Sequence, residues 1–314
     1  MTSEDWFKMV DSLNLVLSVD SENNDYQKIR VAVLDTGITP KAAEEFDIQD
    51  RMYRDFTDCP DENMRDDTGH GTSVVDLVYK MCEPAEVYVA RVMEKSHATR
   101  NSVDATIGAL EWAMRNNVDI ICMAIGFATE VPELKSVLKK AFAANILVFA
   151  AASNHNNMSG VMYPARWNEC VFSVFSTNAG AKNSRKINPT GSGKYENFAI
   201  LGEDIRVSTG ETRKGTSYST AIACGLAARL LDFAKQNPVA GGTYGNLCND
   251  LKEKAGMAKV LCGISEKDEE YHCIAPWKLL PENLRWQSDD PSEEEIQQAR
   301  VSVMNRIAHY LERF

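Results

Sequence analysis

Ser217 has the residue type and the position of a catalytic nucleophile. It follows Gly215 and Thr216 and leads into an apolar segment, residues 222–231, that is rich in alanine. Gly215 permits a tight turn and a close approach to a substrate, and the first amides of a helix have no partner within that helix. Such a serine could attack while its own amide stabilises the charge produced. A serine that only caps a core helix would look the same, so a base must be found elsewhere.

His70 is the candidate base. It lies between Gly69 and Gly71 at the start of a helical pattern that continues to Met81. Flanking glycines leave the ring exposed, which is unusual for a core histidine. The ordinary histidine pKa of about 6.5 suits proton transfer at neutral pH, and activity that needs the neutral ring should rise through about pH 6 to 7.5.

Asp35 is the candidate partner of that base. It ends the apolar run 29–34 and is followed by Thr36 and Gly37. This pattern is typical of a buried parallel strand that delivers an aspartate at its carboxyl end, where the catalytic groups of open α/β sheets gather. An aspartate that only caps a turn is the alternative.

Strand and helix patterns alternate between Asp35 and Ser217, and they must position the candidate residues. The pattern predicts a three-layer α/β fold with a doubly wound, mostly parallel sheet and helices on both faces. Strand-like runs occur at 87–90, 118–126, 146–152 and 171–174, and helical periodicity occurs at 102–114 and 132–144.

The two ends of the chain differ from this alternation. Residues 1–27 form a lead-in with a polar turn at 21–25, and the catalytic domain is expected to span residues 1–240. A turn-rich break at 238–245 precedes a largely helical C-terminal extension, residues 241–314, packed on the same domain. Within it, residues 292–295 predict a capping box for a last amphipathic helix.

Composition restricts the partners of this 314-residue chain. Its 34 Lys and Arg against 45 Asp and Glu give a net charge of -11, so nucleic acid and anionic membranes would repel it, and a protein or peptide partner fits better. We expect neither a secretion signal nor a membrane span. Eight scattered cysteines without a Cys-x-x-Cys pair favour free thiols and a cytoplasmic location.

The three candidate residues also carry a family resemblance. Asp35-Thr36-Gly37, Gly69-His70-Gly71-Thr72 and Gly215-Thr216-Ser217 occur in the order and spacing typical of the subtilisin-like serine proteases, or subtilases. The resemblance covers about residues 28–235. It also includes Asp66, the segment 150–154 and Tyr163-Pro164-Ala165.

The resemblance implies a role for each residue. Ser217 would be the nucleophile, His70 the general base and then acid, and Asp35 the residue that orients the imidazole. A serine hydroxyl needs a neutral imidazole to take its proton, and the imidazolium needs a buried carboxylate beside it. The Asn154 amide and the Ser217 N–H would form the oxyanion hole, although a turn asparagine is the alternative for Asn154.

A substrate site follows from the same resemblance. Residues 123–126 would pair with the substrate as an added strand and line the primary specificity pocket. Met162 stands at the pocket floor, where the family often has glycine, which predicts small or medium apolar side chains before the scissile bond. The residues expected to contact substrate are Asp66, Met123, Ala124, Ile125, Gly126, Ala151, Ala152, Ser153 and Met162.

Departures from the family bear on cofactors and control. Residues 82–86 leave no room for the calcium loop that often interrupts the histidine helix, so we expect no cofactor and no calcium there. Carboxylates at Asp58, Asp61 and Glu62 could bind an ion or form a solvated loop. No inhibitory pro-segment fits in residues 1–27, so we expect that the chain folds unaided, belongs to a larger parent protein or is restrained by a regulatory partner. Ala221 replaces the usual proline after the serine.

The predicted function is a cytoplasmic serine endopeptidase that cleaves protein substrates through an acyl-enzyme, in a regulatory or effector role. Two alternatives use the same residues. One is a catalytically silent pseudoprotease that binds peptides along residues 123–126. The other is a peptide ligase or cyclase that transfers the acyl group to an amine instead of water.

Overall fold

The computed structural model describes most of the chain. It covers residues 1–18, 27–58, 60, 63–95, 102–158, 160–191, 193–236, 246–285 and 291–312. The turn predicted at 21–25, the break predicted at 238–245 and the carboxylates of Asp61 and Glu62 lie outside these residues.

Helices and strands alternate through the first two thirds of the chain, as predicted. In chain order the elements are α1 (Ser3–Leu17), β1 (Arg30–Asp35), α2 (Pro40–Glu45), β2 (Tyr53–Asp55), α3 (His70–Met81), β3 (Glu86–Arg91), α4 (Ser102–Arg115), β4 (Ile120–Met123), α5 (Pro132–Ala143), β5 (Leu147–Ala151), β6 (Phe172–Thr177), β7 (Asn197–Leu201), β8 (Ile205–Arg206), β9 (Thr212–Arg213), α6 (Thr216–Lys235), α7 (Leu247–Lys252), α8 (Lys254–Gly263), β10 (Ser265–Asp268), β11 (Tyr271–Ile274) and α9 (Glu293–Glu312).

One sheet organises the fold. Among the described residues it has nine strands in the order β10-β11-β7-β6-β5-β4-β1-β3-β2, and β10 is antiparallel to β11 while the other pairs are parallel. Its central strands are continuous apolar runs buried along their length, as expected where helices cover both faces. The predicted fold class is confirmed.

Helix α6 lies in the core against this sheet. Every residue from Thr216 to Ala234 is buried. Gly225 lets α6 lie close to α3, since a Cβ at that position would overlap the Met81 side chain and crowd the Val78 carbonyl. Alanine and glycine are therefore the residues that allow this helix to sit between the sheet and α3. None of the described helices has the length and apolar character needed to cross a bilayer.

The C-terminal part contributes strands as well as helices. β11 pairs in parallel with β7 and extends the sheet, and β10 forms its edge. The sequence does not predict this hairpin, because Ser-Glu-Lys-Asp in β10 has no apolar alternation. Charged side chains are common on edge strands, where they hinder pairing with another chain. The capping box is confirmed, since Ser292 N–H donates to Glu295 and Glu295 N–H donates to the Ser292 hydroxyl.

The two terminal helices pack together. Arg300 of α9 donates to the carbonyls of Val16 at 2.9 Å and Ser18 at 3.0 Å, where α1 ends. Arg229 of α6 donates to the Asn14 carbonyl at 2.7 Å. These side chains satisfy carbonyls that a helix end leaves without partners. The N-terminal lead-in is thus held by both the central helix and the C-terminal helix.

Replacing Trp6 with alanine tests whether α1 belongs to the folded core. Trp6 is 0% exposed and its ring packs edge-on against Trp277, so the change should cost about 3–5 kcal/mol in the free energy of unfolding. Leu15→Ala on the same helix is the control, because Leu15 is 43% exposed and should cost less than about 0.5 kcal/mol. Urea unfolding measures both, and equal costs would contradict the prediction.

Candidate active site

Asp35 occupies the carboxyl end of β1, an interior strand of the sheet that lies between β3 and β4. Its side chain is fully buried. Oδ1 accepts the Thr36 N–H at 2.7 Å and lies 2.6 Å from Nδ1 of His70. Oδ2 is buried without a hydrogen-bond partner among the described residues. A buried carboxylate of this kind favours a positive charge on its neighbour.

His70 is the first residue of α3, and the preceding loop fixes its position. Gly69 adopts a left-handed conformation with φ 69°, which glycine tolerates without strain. The Asp66 carboxylate accepts the N–H groups of Gly69 at 2.9 Å and Thr72 at 2.8 Å. An acceptor for the unpaired amides at a helix start acts as a cap. Asp66 therefore caps the helix that begins, as predicted, at His70.

The charges around His70 set its protonation. Burial lowers the pKa of His70, but the charge and hydrogen bond of Asp35 and the charge of Asp66 outweigh burial, so that the pKa lies above the ordinary value of 6.5. The nearby positive charge of Arg213 opposes this rise. The surroundings thus stabilise an imidazolium, which is the charge that a general base acquires.

Ser217 is the second residue of α6 and is 8% exposed. Its hydroxyl donates to the Ala124 carbonyl at 3.1 Å. Since a hydroxyl has one proton, this bond leaves none for His70, and no Ser217–His70 hydrogen bond forms among the described residues. The next residue, Tyr218, packs its ring 5.2 Å from the imidazole, which shows how close the two helix starts lie.

Asn154 follows β5 and is anchored beside Ser217. Its Oδ1 accepts the Thr216 N–H at 2.7 Å and the Thr216 hydroxyl at 3.1 Å. A Cβ at Gly215, where φ is 132°, would lie 3.0 Å from the Asn154 amide, so glycine is needed here. With its oxygen held, the amide nitrogen of the exposed Asn154 is free to donate, and the Ser217 N–H also has no partner in the described part of the chain.

The predicted substrate segments lie at the ends of β4 and β5. Backbone bonds join them through residues 162–163, because Met162 N–H donates to Ala152 at 2.8 Å and Phe127 exchanges two bonds with Tyr163. Met162 lies against Gly126, where an added Cβ would be 3.1 Å from its Cβ and 3.2 Å from its sulfur. The substrate role stays a prediction for the residues of these segments: Met123, Ala124, Ile125, Gly126, Ala151, Ala152, Ser153 and Met162.

Asp66 is predicted to contact substrate, and in the structure its carboxylate holds the end of β1 and the start of α3 together. Besides the two amides that it caps, its oxygens accept from the hydroxyls of Thr36 at 2.9 Å and Thr72 at 2.8 Å. Burial raises the pKa of Asp66, but the hydrogen bonds from Thr72, Thr36 and Thr68 lower it by more than burial raises it. The pKa of Asp66 therefore lies below its ordinary value. Its contact with substrate stays a prediction.

Three further groups near the site were not predicted. Tyr218 contacts the imidazole, and Arg213 adds positive charge close to it. Arg91 is buried at the end of β3 and donates to Asp55 at 2.7 Å. A charged residue within the apolar run 87–92 was the available signal for Arg91. For the other two, the sequence holds no signal beyond their closeness to Ser217.

No group of three or more His, Cys, Asp or Glu side chains in the described ranges is arranged to hold a metal ion. Asp61 and Glu62 fall outside those ranges, so the absence of calcium stays a prediction. The cysteines of the described residues are free thiols.

Sequence comparisons identify relatives of this chain. A model of the subtilase family matches residues 26–246. The subtilisin-like protease het-Q2 of Podospora anserina is 26% identical over 76% of this chain and 70% of its own length. An intracellular serine protease of Paenibacillus polymyxa is 31% identical over 66% of this chain and 67% of its own length.

Comparisons with solved structures agree on the fold. A mutant of the protease domain of PatA superposes with a TM-score of 0.61 at 21% identity, over 79% of this chain and 90% of that domain. A cold adapted subtilisin-like serine proteinase gives a TM-score of 0.55 at 23% identity, over 73% of this chain and 86% of its own. The three-layer α/β architecture is thus shared with both.

Proposed function

Because the chain belongs to the subtilase family of serine peptidases, we propose that it is an endopeptidase with Asp35, His70 and Ser217 as its catalytic triad. The observation that carries the proposal is the 2.6 Å contact between the buried Asp35 carboxylate and His70. Ser217, at the start of α6, lies next to a residue that touches the same imidazole. These groups have the types and the neighbours that nucleophilic catalysis needs.

The first chemical step forms an acyl-enzyme. Ser217 Oγ attacks the scissile carbonyl carbon while its proton passes to Nε2 of His70, and the carbonyl π electrons move to the oxygen. Asp35 holds the Nδ1 proton and stabilises the imidazolium. The tetrahedral intermediate collapses, the C–N bond breaks, and His70 gives its proton to the leaving amine. Water then attacks the ester by the same sequence and releases the acid.

Two donors support the negative oxygen of that intermediate. The Asn154 amide is oriented by Thr216, which occupies its oxygen. The Ser217 N–H is the second donor, because the start of α6 offers it no acceptor. Donors fixed before the reaction stabilise a developing charge without reorganisation.

Substrate binding is the event that prepares Ser217. In the free protein its hydroxyl is bound to the Ala124 carbonyl. A substrate that pairs with residues 123–126 as an added strand donates a backbone N–H to a carbonyl of this segment. When that acceptor is Ala124, the hydroxyl is released and can turn to His70.

The substrates are proteins or peptides, and the working compartment is the cytoplasm. Similarity to a protein named as an intracellular serine protease supports this location, and so do the free thiols of the described residues. A regulatory or effector role, with restraint by a partner or by a larger parent protein, is part of the same proposal. No cofactor enters the mechanism.

Two substitutions test the mechanism. Ser217→Ala should abolish peptide cleavage and labelling by a fluorophosphonate, because both need the Oγ nucleophile. Asn154→Ala should lower kcat by about 10²–10³, the loss known for the side-chain oxyanion donor of subtilisin. Fluorophosphonate should still label Ser217 in this variant. A folded wild-type protein without a Ser217-dependent adduct would support the peptide-binding alternative, and product formation from an added amine in preference to water would support the ligase.

The pH profile reports the charge state of His70. Since its pKa lies above 6.5, the protonated ring still predominates at pH 6.5, and kcat/KM should rise with a half-point higher than 6.5. Arg213→Gln removes a positive charge that lowers this pKa, so the half-point should move further up. Lys214→Gln is the control, because this exposed neighbouring charge is not among the main influences on the His70 pKa. A half-point below 6.5, or equal shifts in both variants, would refute this.

Met162 should limit the side chain accepted before the scissile bond. Its packing against Gly126 predicts cleavage after small or medium apolar residues. Met162→Gly should raise kcat/KM for Phe relative to Ala at this position by about 10–200-fold, measured with a series of matched peptides. Met158→Ala is the control, because Met158 is 87% exposed. Dominant cleavage after Lys or Arg by the wild type would sink the prediction.

A further inference from the structure

Tyr271, the first residue of β11, lies far from Ser217 in sequence and contacts the part of the fold that carries Asn154. It is 2% exposed, and its hydroxyl donates to the Pro189 carbonyl at 2.5 Å. Its ring meets Phe175 of β6 edge-on with centroids 5.0 Å apart. Both rings belong to a small apolar cluster that includes Ala152, two residues before Asn154.

The segment 183–191, which we call the bracing loop, contains Pro189. On its inner side the Asn188 amide donates to the Ser176 carbonyl at 2.6 Å and accepts the Ser176 N–H at 2.8 Å. On its outer side the bracing loop donates two backbone hydrogen bonds to carboxylates of the β10–β11 hairpin. The Asn183 N–H donates to Asp268 at 2.9 Å, and the Gly191 N–H donates to Glu270 at 3.1 Å. Tyr271 adds a buried hydrogen bond to these two, of which one is part-buried and one exposed.

The bracing loop in turn holds the segment after Asn154. The Ile187 carbonyl accepts the Asn156 N–H at 3.0 Å. Asn156 has a left-handed conformation with φ 50°, which a non-glycine residue keeps when its surroundings support it. Asn154 is thus fixed by Thr216 on one side and, through Asn156, by the bracing loop on the other.

We propose that Tyr271 is a positioning residue for the oxyanion donor Asn154. Its hydroxyl fixes Pro189, Pro189 fixes the Ile187 carbonyl two residues earlier, and that carbonyl fixes Asn156. The C-terminal hairpin is therefore part of the support of the active site. This inference rests on the proposed function, in which Asn154 donates to the oxyanion. A donor displaced by a fraction of an ångström loses much of its stabilising effect on the transition state.

Tyr271→Phe removes the hydroxyl and keeps the ring in its cluster. We expect kcat to fall about three- to tenfold with KM little changed, because the lost stabilisation belongs to the transition state. Affinity for a peptide boronic acid, which forms a tetrahedral adduct, should fall by the same factor. Rates are expressed per active site by fluorophosphonate titration, so a loss of folded protein does not imitate the effect. Tyr195→Phe, at an exposed tyrosine, should leave both values unchanged.

A double-mutant cycle separates this role from general stability. In an Asn154→Ala background, Tyr271→Phe should cause no further fall in kcat, since the donor that it positions is gone. An unchanged kcat in the single variant, or the same fall in both backgrounds, would overturn the inference. Glu270→Ala, which removes the exposed acceptor of the Gly191 N–H, enters the same cycle if Tyr271→Phe does not fold. Full activity of Ser217→Ala or Asn154→Ala would instead refute the proposed function itself.

Discussion

A fully buried carboxylate, Asp35, lies 2.6 Å from the imidazole of His70, and much of the surrounding structure serves to maintain this contact. A charge without water is costly unless it is paired and hydrogen-bonded. Asp35 obtains its partners from Thr36 and from the first residue of α3. The end of β1 and the start of α3 must therefore be fixed together, and Asp66 does so by binding Thr36 and the amides that begin α3.

The same constraint extends to the proposed nucleophile, Ser217, through helix packing. α3 begins at His70 and α6 begins at Thr216, so the separation of the two helices sets the separation of His70 and Ser217. Gly225 permits the close approach, since any side chain there would meet Met81. The rings of His70 and Tyr218 are in contact as a result. Gly225, more than two helical turns from Ser217, thus influences the distance between the starts of α3 and α6.

The site is completed from segments far apart in the chain. Ala124 holds the Ser217 hydroxyl in the free protein, and Thr216 holds the oxygen of Asn154. Ala124 follows one strand end and Asn154, the proposed oxyanion donor, follows another, as expected at the carboxyl edge of a parallel sheet. Beyond them, the bracing loop and the β10–β11 hairpin hold the segment after Asn154. The C-terminal part therefore extends the same sheet, through the pairing of β11 with β7.

The sequence by itself determined the fold class and the residues that meet at the site. Asp35, His70 and Ser217 follow an apolar run or open helical patterns, and local periodicity and glycine placement are properties that a sequence displays directly. Asn154 is singled out by the family resemblance of the segment 150–154. Only the tertiary structure decided that Ser217 binds Ala124, that Asp66 binds Thr36, and that Tyr271 reaches Pro189. These contacts join residues whose separation along the chain, 93 residues for Ser217 and Ala124, leaves no local pattern. They depend on how the sheet and helices pack, and packing is decided by the whole chain.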